Sequence, residues 1–170
     1  MKLSKLVLCF LAAGALLTRS REPAQAATAT ANLSVSATIN NNCTISTAAV
    51  GFPAYDPIVA HAAAPDDSTS GSVTITCTKG SAATIGLGLG ANVSGSQMRM
   101  LNGAANYLNY ALFQDAGHVT LWGTSGSGLL SPVAAPSKAP RTFTVYGRIP
   151  AGQDLPSGTY TDTVVATVNF

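Results

Sequence analysis

The chain has 170 residues, of which 46% are hydrophobic and only 9% are charged, and its formal net charge at pH 7 is +2. A chain of this length is sufficient for one domain with a hydrophobic core of its own. It carries no basic patch of the kind that attracts nucleic acid, so we expect no nucleic-acid partner.

The first 26 residues have the features of a secretory signal peptide. A basic start precedes an apolar run over residues 6–17, which is too short to anchor in a bilayer. Ala24 and Ala26 then form a small-x-small cleavage site. We therefore predict export through the inner membrane and a mature chain of residues 27–170, which has five basic and six acidic residues and a net charge of −1.

The first predicted strand covers residues 31–39. Apolar and polar side chains alternate along it, as they do in a strand that has one buried face. The apolar face would carry Leu33, Val35, Ala37 and Ile39.

Two cysteines, Cys43 and Cys77, remain after removal of the signal peptide. An even pair in an exported chain favours a disulfide over two unpaired thiols. A shared metal site is a weaker alternative, because only His61 and His118 are available to complete it.

The middle of the chain alternates between short strand-like segments and turn residues. Two long stretches, residues 54–70 and 123–140, are rich in Gly, Pro, Ala or Ser and are predicted to be surface loops. Seven or eight short strands without any helical period predict an all-β, immunoglobulin-like sandwich. Predicted strands between the two ends lie near residues 44–50, 72–78, 83–89, 107–113, 118–122 and 142–149.

The last predicted strand covers residues 159–170. A sheet that ends with the last residues of its chain risks an open edge, and open edges pair with other strands. A chain that lacks a strand at one end and has one to lend at the other would form a polymer. The apolar side chains of this last strand are Tyr160, Val164, Ala166, Val168 and Phe170.

The residues that could perform chemistry are few. Two histidines and six acids in the mature chain form no recognisable catalytic or metal-binding pattern, so we predict neither an enzyme nor a cofactor. His118 follows Asp115 and Gly117 and is predicted to be an exposed turn residue.

Several segments together form a distinctive signature. They are residues 145–153, Gly158-x-Tyr160-x-Asp162-Thr163-Val164, residues 167–170, 51–57, 76–78 and 107–115, Met100-Leu101 and Trp122-Gly123. This signature resembles that of the spore coat protein U family, which includes the subunits of archaic chaperone–usher pili. One departure is Pro53, where the family pattern leads us to expect glycine after Phe52.

The resemblance implies an immunoglobulin-like sandwich that lacks its last strand. A periplasmic chaperone would lend a strand, and at the outer-membrane usher the N-terminal segment of the next subunit would replace it by donor-strand exchange. The chain would then consist of a signal peptide (1–26), a donor-strand extension (27–42) and a pilin domain (43–170). The donor side chains would be Leu33, Val35, Ala37 and Ile39, and Val164, Ala166, Val168 and Phe170 would flank the groove and contact the chaperone.

The expected function is that of a structural pilus subunit, either in the shaft or as a minor pilin, that serves adhesion and biofilm formation. It would pass through the periplasm and reach the cell surface. The alternative is a secreted coat protein or adhesive binding module that does not polymerise, and in that case residues 31–39 would stay in their own domain. We also expect Arg148 to pair with an acid such as Asp162.

Overall fold

The computed structural model describes residues 25–170. Most of the predicted signal peptide, including Ala24, lies outside the described residues. The chain divides into two units between Ala37 and Thr38, and every strand of the described residues belongs to the second unit.

Two sheets form this second unit, and all pairs of neighbouring strands are antiparallel. The larger sheet has the order β1-β2-β6-β5-β4, and the smaller one pairs β3 with β7. The strands are β1 (Cys43–Ala48), β2 (Asp66–Cys77), β3 (Thr84–Leu87), β4 (Met98–Leu101), β5 (Tyr107–Phe113), β6 (Arg141–Ile149) and β7 (Ala166–Asn169).

The core lies between the two sheets. Alternate residues of β2 and β5 point inward, and Trp122 is buried with its indole N–H donating to the main-chain oxygen of Ile85 at 3.0 Å. Apart from a 3₁₀ turn at Gly126–Gly128, the described residues contain no helix, and so none that could cross a membrane. The predicted all-β class is confirmed.

Several strand boundaries differ from the prediction. Strand β2 begins at Asp66, inside the stretch predicted to be a loop, because its first residues pair with the end of β6. Strand β4 was not predicted, since Met98–Leu101 is too short to show an alternating pattern. Residues 118–122 contribute only an isolated bridge between Phe113 and Leu121, and the regular part of the last strand is limited to β7.

Residues 31–39 were predicted to be a strand, and the structure shows none there. Leu33, Val35 and Ile39 are 87%, 85% and 85% exposed. A strand is stabilised by hydrogen bonds from a neighbouring strand, so an alternating sequence without a neighbour remains irregular.

One end of the larger sheet is covered by the segment that follows β1. Gly51 is fixed to the start of β2, because Ser70 Oγ accepts from its N–H at 2.8 Å and Ser68 Oγ donates to its carbonyl at 2.6 Å. Val50 and Phe52 then lie over Gly71 and Gly147 so closely that a Cβ at Gly147 would come within 2.7 Å of Phe52 Cζ. These two glycines allow the chain to cross the sheet.

Replacing Gly71 with alanine should destabilise the domain by roughly 1–3 kcal/mol, because the new methyl group would overlap the Val50 side chain. Urea unfolding of the mature chain measures this change. The control is Gly103→Ala, since a Cβ at Gly103 meets no heavy atom within 4 Å. Equal unfolding midpoints for the two variants would contradict the close packing.

Candidate functional site

An apolar groove of about 360 Å³ opens between the two sheets. One wall is the end of β1 with the residues that follow it, 47–50, and the other wall is the segment 160–164 together with Ala166. Its floor is the core itself, formed by Val73, Leu87, Met100, Tyr110, Leu112 and Val145. Of these floor residues only Met100 is partly exposed, and the other five are buried beneath the groove.

Both walls of the groove lie at strand edges of the described residues. Strand β1 is an edge of the larger sheet, and the second wall is the irregular segment that leads into β7, an edge of the smaller sheet. In an antiparallel strand the main-chain groups of successive residues point to alternate sides, so half of those in each edge strand point away from the existing partner. An inserted strand would find hydrogen-bonding groups on both sides.

The chain before β7 crosses from one sheet to the other. Thr161 exchanges two main-chain hydrogen bonds with Leu101 of β4, at 2.8 and 3.0 Å. The Val165 carbonyl accepts from Gly88, just beyond β3, at 2.9 Å. Thr161 and Val165 thus turn their main-chain groups inward, and by alternation Asp162 and Val164 turn theirs toward the groove.

Of the four predicted groove-flanking residues, the first two belong to this wall and Val168 and Phe170 do not line the groove. Val164, Ala166 and Val168 are half-buried and pack against the core, whereas Phe170 is 54% exposed. Val164 and Ala166 line the groove itself.

The structure contains the Cys43–Cys77 disulfide, and this prediction is confirmed. It joins directly opposite residues of β1 and β2. Thr78, the next residue, donates its main-chain N–H to Asn42 O at 2.8 Å, and its hydroxyl accepts from Asn42 N at 3.1 Å. The disulfide and these hydrogen bonds attach the start of β1 to the neighbouring strand β2.

The predicted donor side chains are not buried. Leu33, Val35, Ala37 and Ile39 are all exposed. The chain therefore combines an apolar groove in its second unit with exposed aliphatic side chains in residues 31–39.

Arg148 does not pair with Asp162, contrary to expectation. It donates two hydrogen bonds to Asp67, at 2.7 and 2.9 Å, across the β2–β6 pair. Its Nη2 also lies 3.0 Å from Nδ1 of His118. His118 is consequently buried against Arg148, Phe113 and Tyr146 and is not the exposed turn residue that was predicted.

The Arg148 guanidinium holds the pKa of the Asp67 carboxyl below its ordinary value of 3.8. A carboxyl whose pKa is lowered by folding adds stability above its unfolded-state pKa, and this stability is lost as the pH falls through the folded-state pKa.

Asp67→Asn should therefore cost about 1 kcal/mol or less at pH 7, since both partners are partly exposed and screened. The cost should shrink toward about pH 2.5, where the carboxyl of the unfolded chain is protonated. Unfolding midpoints measured across this pH range test the prediction, with exposed Asp154→Asn as the control. A cost that stays constant with pH would rule out an ionic contribution.

The sequence did not reveal two features of the site. Asp162 is enclosed by the turn Gly90–Asn92 and by Tyr110, which are distant in sequence, so no local pattern could indicate the contact. The second feature is the covering of the larger sheet by Val50 and Phe52. The sequence contains one indication that this segment matters, because residues 51–57 belong to the segments that resemble the family. Among residues 25–170, no group of three or more His, Cys, Asp or Glu side chains could hold a metal ion.

The family model of the Spore Coat Protein U domain matches residues 29–167. The match covers more than half of the chain, and the protein belongs to this family. Protein U of Myxococcus xanthus is 42% identical over 161 residues, which cover 87% of this chain and 88% of that protein.

A solved structure also resembles the chain. It is the chaperone–tip adhesion subunit pre-assembly complex of CsuC and CsuE from the archaic chaperone–usher Csu pili of Acinetobacter baumannii. The TM-score is 0.56 at 25% identity, over 78% of this chain. The alignment spans about two fifths (41%) of the matched solved chain.

Proposed function

We propose that this protein is a structural subunit of a surface pilus and that its copies join by strand donation. The observation that carries the proposal is the groove: two strand edges and an apolar floor, in a chain that also has an exposed segment of alternating apolar residues. Residues 27–42 are the donor extension, residues 43–170 form the pilin domain, and residues 1–26 direct export.

Burial of apolar side chains supplies the driving force. Transfer of Leu33, Val35 and Ile39 from water into a groove is worth on the order of 5–8 kcal/mol before entropic costs. Main-chain hydrogen bonds to both edges fix the register, and Ala37 fits where the groove is shallow. The inserted strand then covers the two strand edges and the apolar groove, which are no longer available for non-specific association.

The proposed partners follow from the open groove. A subunit with open strand edges and an apolar groove needs protection before assembly, and the similarity to a chaperone–subunit complex supports a periplasmic chaperone that occupies the groove first. An outer-membrane usher then exchanges the chaperone for the next copy. Adhesion and biofilm formation are the proposed roles of the finished fibre.

A second candidate is a coat component that is secreted without forming fibres. The similarity to Protein U favours it, because that relative matches over most of both chains. In this case residues 31–39 need not enter another copy.

Replacing Leu33, Val35 and Ile39 together with asparagine should abolish polymer formation and leave the disulfide-linked domain able to bind its chaperone. The matched control replaces Ser34 and Ser36, on the opposite face of the alternating segment, with asparagine and should polymerise normally. The experiment co-expresses each mature chain with the chaperone encoded beside it and follows assembly by size-exclusion chromatography with mass detection.

Polymers of normal size from the triple variant would contradict strand donation. A stable monomer of the unmodified chain that ignores the chaperone would favour the coat component.

A further inference from the structure

We propose that Asp162 is a positioning residue that holds the C-terminal wall of the groove in the geometry that an incoming strand requires. The inference rests on the proposed function, because it assigns a role to one residue of the groove. Asp162 is suited to this role because its main chain faces the groove while its side chain binds the turn Gly90–Asn92 and Tyr110.

The Asp162 carboxylate accepts four hydrogen bonds. Oδ1 accepts from the main-chain N–H groups of Ala91 at 3.0 Å and Asn92 at 3.2 Å, and from Asn92 Nδ2 at 3.0 Å. Oδ2 accepts from the Tyr110 hydroxyl at 2.7 Å. A carboxylate accepts at both oxygens and donates at neither, so it satisfies four donors that an amide of the same size could not.

The surroundings of Asp162 leave room for this carboxylate and for little else. Gly90 has a φ of +87° and lacks a side chain, and a Cβ at this position would overlap Asp162 Oδ2. Tyr110 is buried, and burial together with the Asp162 carboxylate raises the pKa of its hydroxyl, which therefore keeps the proton that it donates.

The place of this contact in the fold gives it a function. Asp162 lies between Thr161, which pairs with the larger sheet, and Thr163, whose carbonyl accepts from Ala91 beyond the smaller sheet at 3.1 Å. The carboxylate thus fixes the chain where it crosses from the larger sheet to the smaller one. Residues 161–163 belong to no regular strand there. Loss of the hydrogen bonds of the Asp162 carboxylate would allow residues 161–164 to close over the apolar floor of the groove or to move out of register with an incoming strand.

The test measures binding of a fluorescent peptide with the sequence of residues 29–41. The recipient is the mature chain in which Leu33, Val35 and Ile39 are replaced by asparagine, so that it cannot donate to itself or to another copy. In this background Asp162→Asn should weaken peptide binding at least about tenfold, as expected for losing charge-assisted hydrogen bonds. Tyr110→Phe, which removes one of the four bonds, should weaken it by a smaller factor.

Two controls separate positioning from general stability. Asp154→Asn removes an exposed acid and should change neither peptide binding nor the urea midpoint. Asp67→Asn breaks the ion pair with Arg148 at a site that does not line the groove, so it should lower the urea midpoint and leave peptide binding unchanged.

Peptide affinities of Asp162→Asn and of the background chain that agree within twofold would overturn the inference. If Asp162→Asn does not fold, Tyr110→Phe decides, and unchanged binding by that variant would also overturn it. A background chain that binds no peptide at all would contradict the proposed function and not the role of Asp162.

Discussion

The structure depends on one constraint: the two sheets leave an apolar groove between their edges. The groove lies between the end of β1 and residues 160–166, above a floor of core residues of which Met100 is partly exposed. Unpaired main-chain groups and wet apolar surface are both costly, and a strand from outside the domain removes both costs at once. The proposed assembly therefore follows from a defect in the fold.

The rest of the domain keeps this groove in shape. At one end Val50 and Phe52 cross the larger sheet above Gly71 and Gly147, which have no side chains to obstruct them. The disulfide ties the start of β1, the strand that ends in the first wall, to the neighbouring strand β2. Asp162 has the same role for the second wall, with a partly buried set of hydrogen bonds in place of a covalent link.

Much of the fold could be predicted because its signal is local. Alternation identified the long strands, and turn residues separated them, as in β5, whose predicted and observed ranges agree. Other features depend on which distant segments contact each other, and a single sequence does not show these long-range contacts. They are the short strand β4 and the contacts of Asp162, Arg148 and His118. Residues 31–39 show a further limit, since the alternating pattern predicts the capacity to pair and cannot say whether a partner is present.

The most direct test of strand donation asks whether the strand in the groove comes from the same copy of the chain or from another copy. A photo-crosslinking residue at position 35 is introduced into the mature chain, which is assembled as an equal mixture of isotopically light and heavy copies and analysed by mass spectrometry. The account predicts light–heavy cross-links from position 35 to groove residues such as Leu112 and Val164. Cross-links confined to light–light and heavy–heavy pairs would show that the segment serves its own domain and would contradict strand donation.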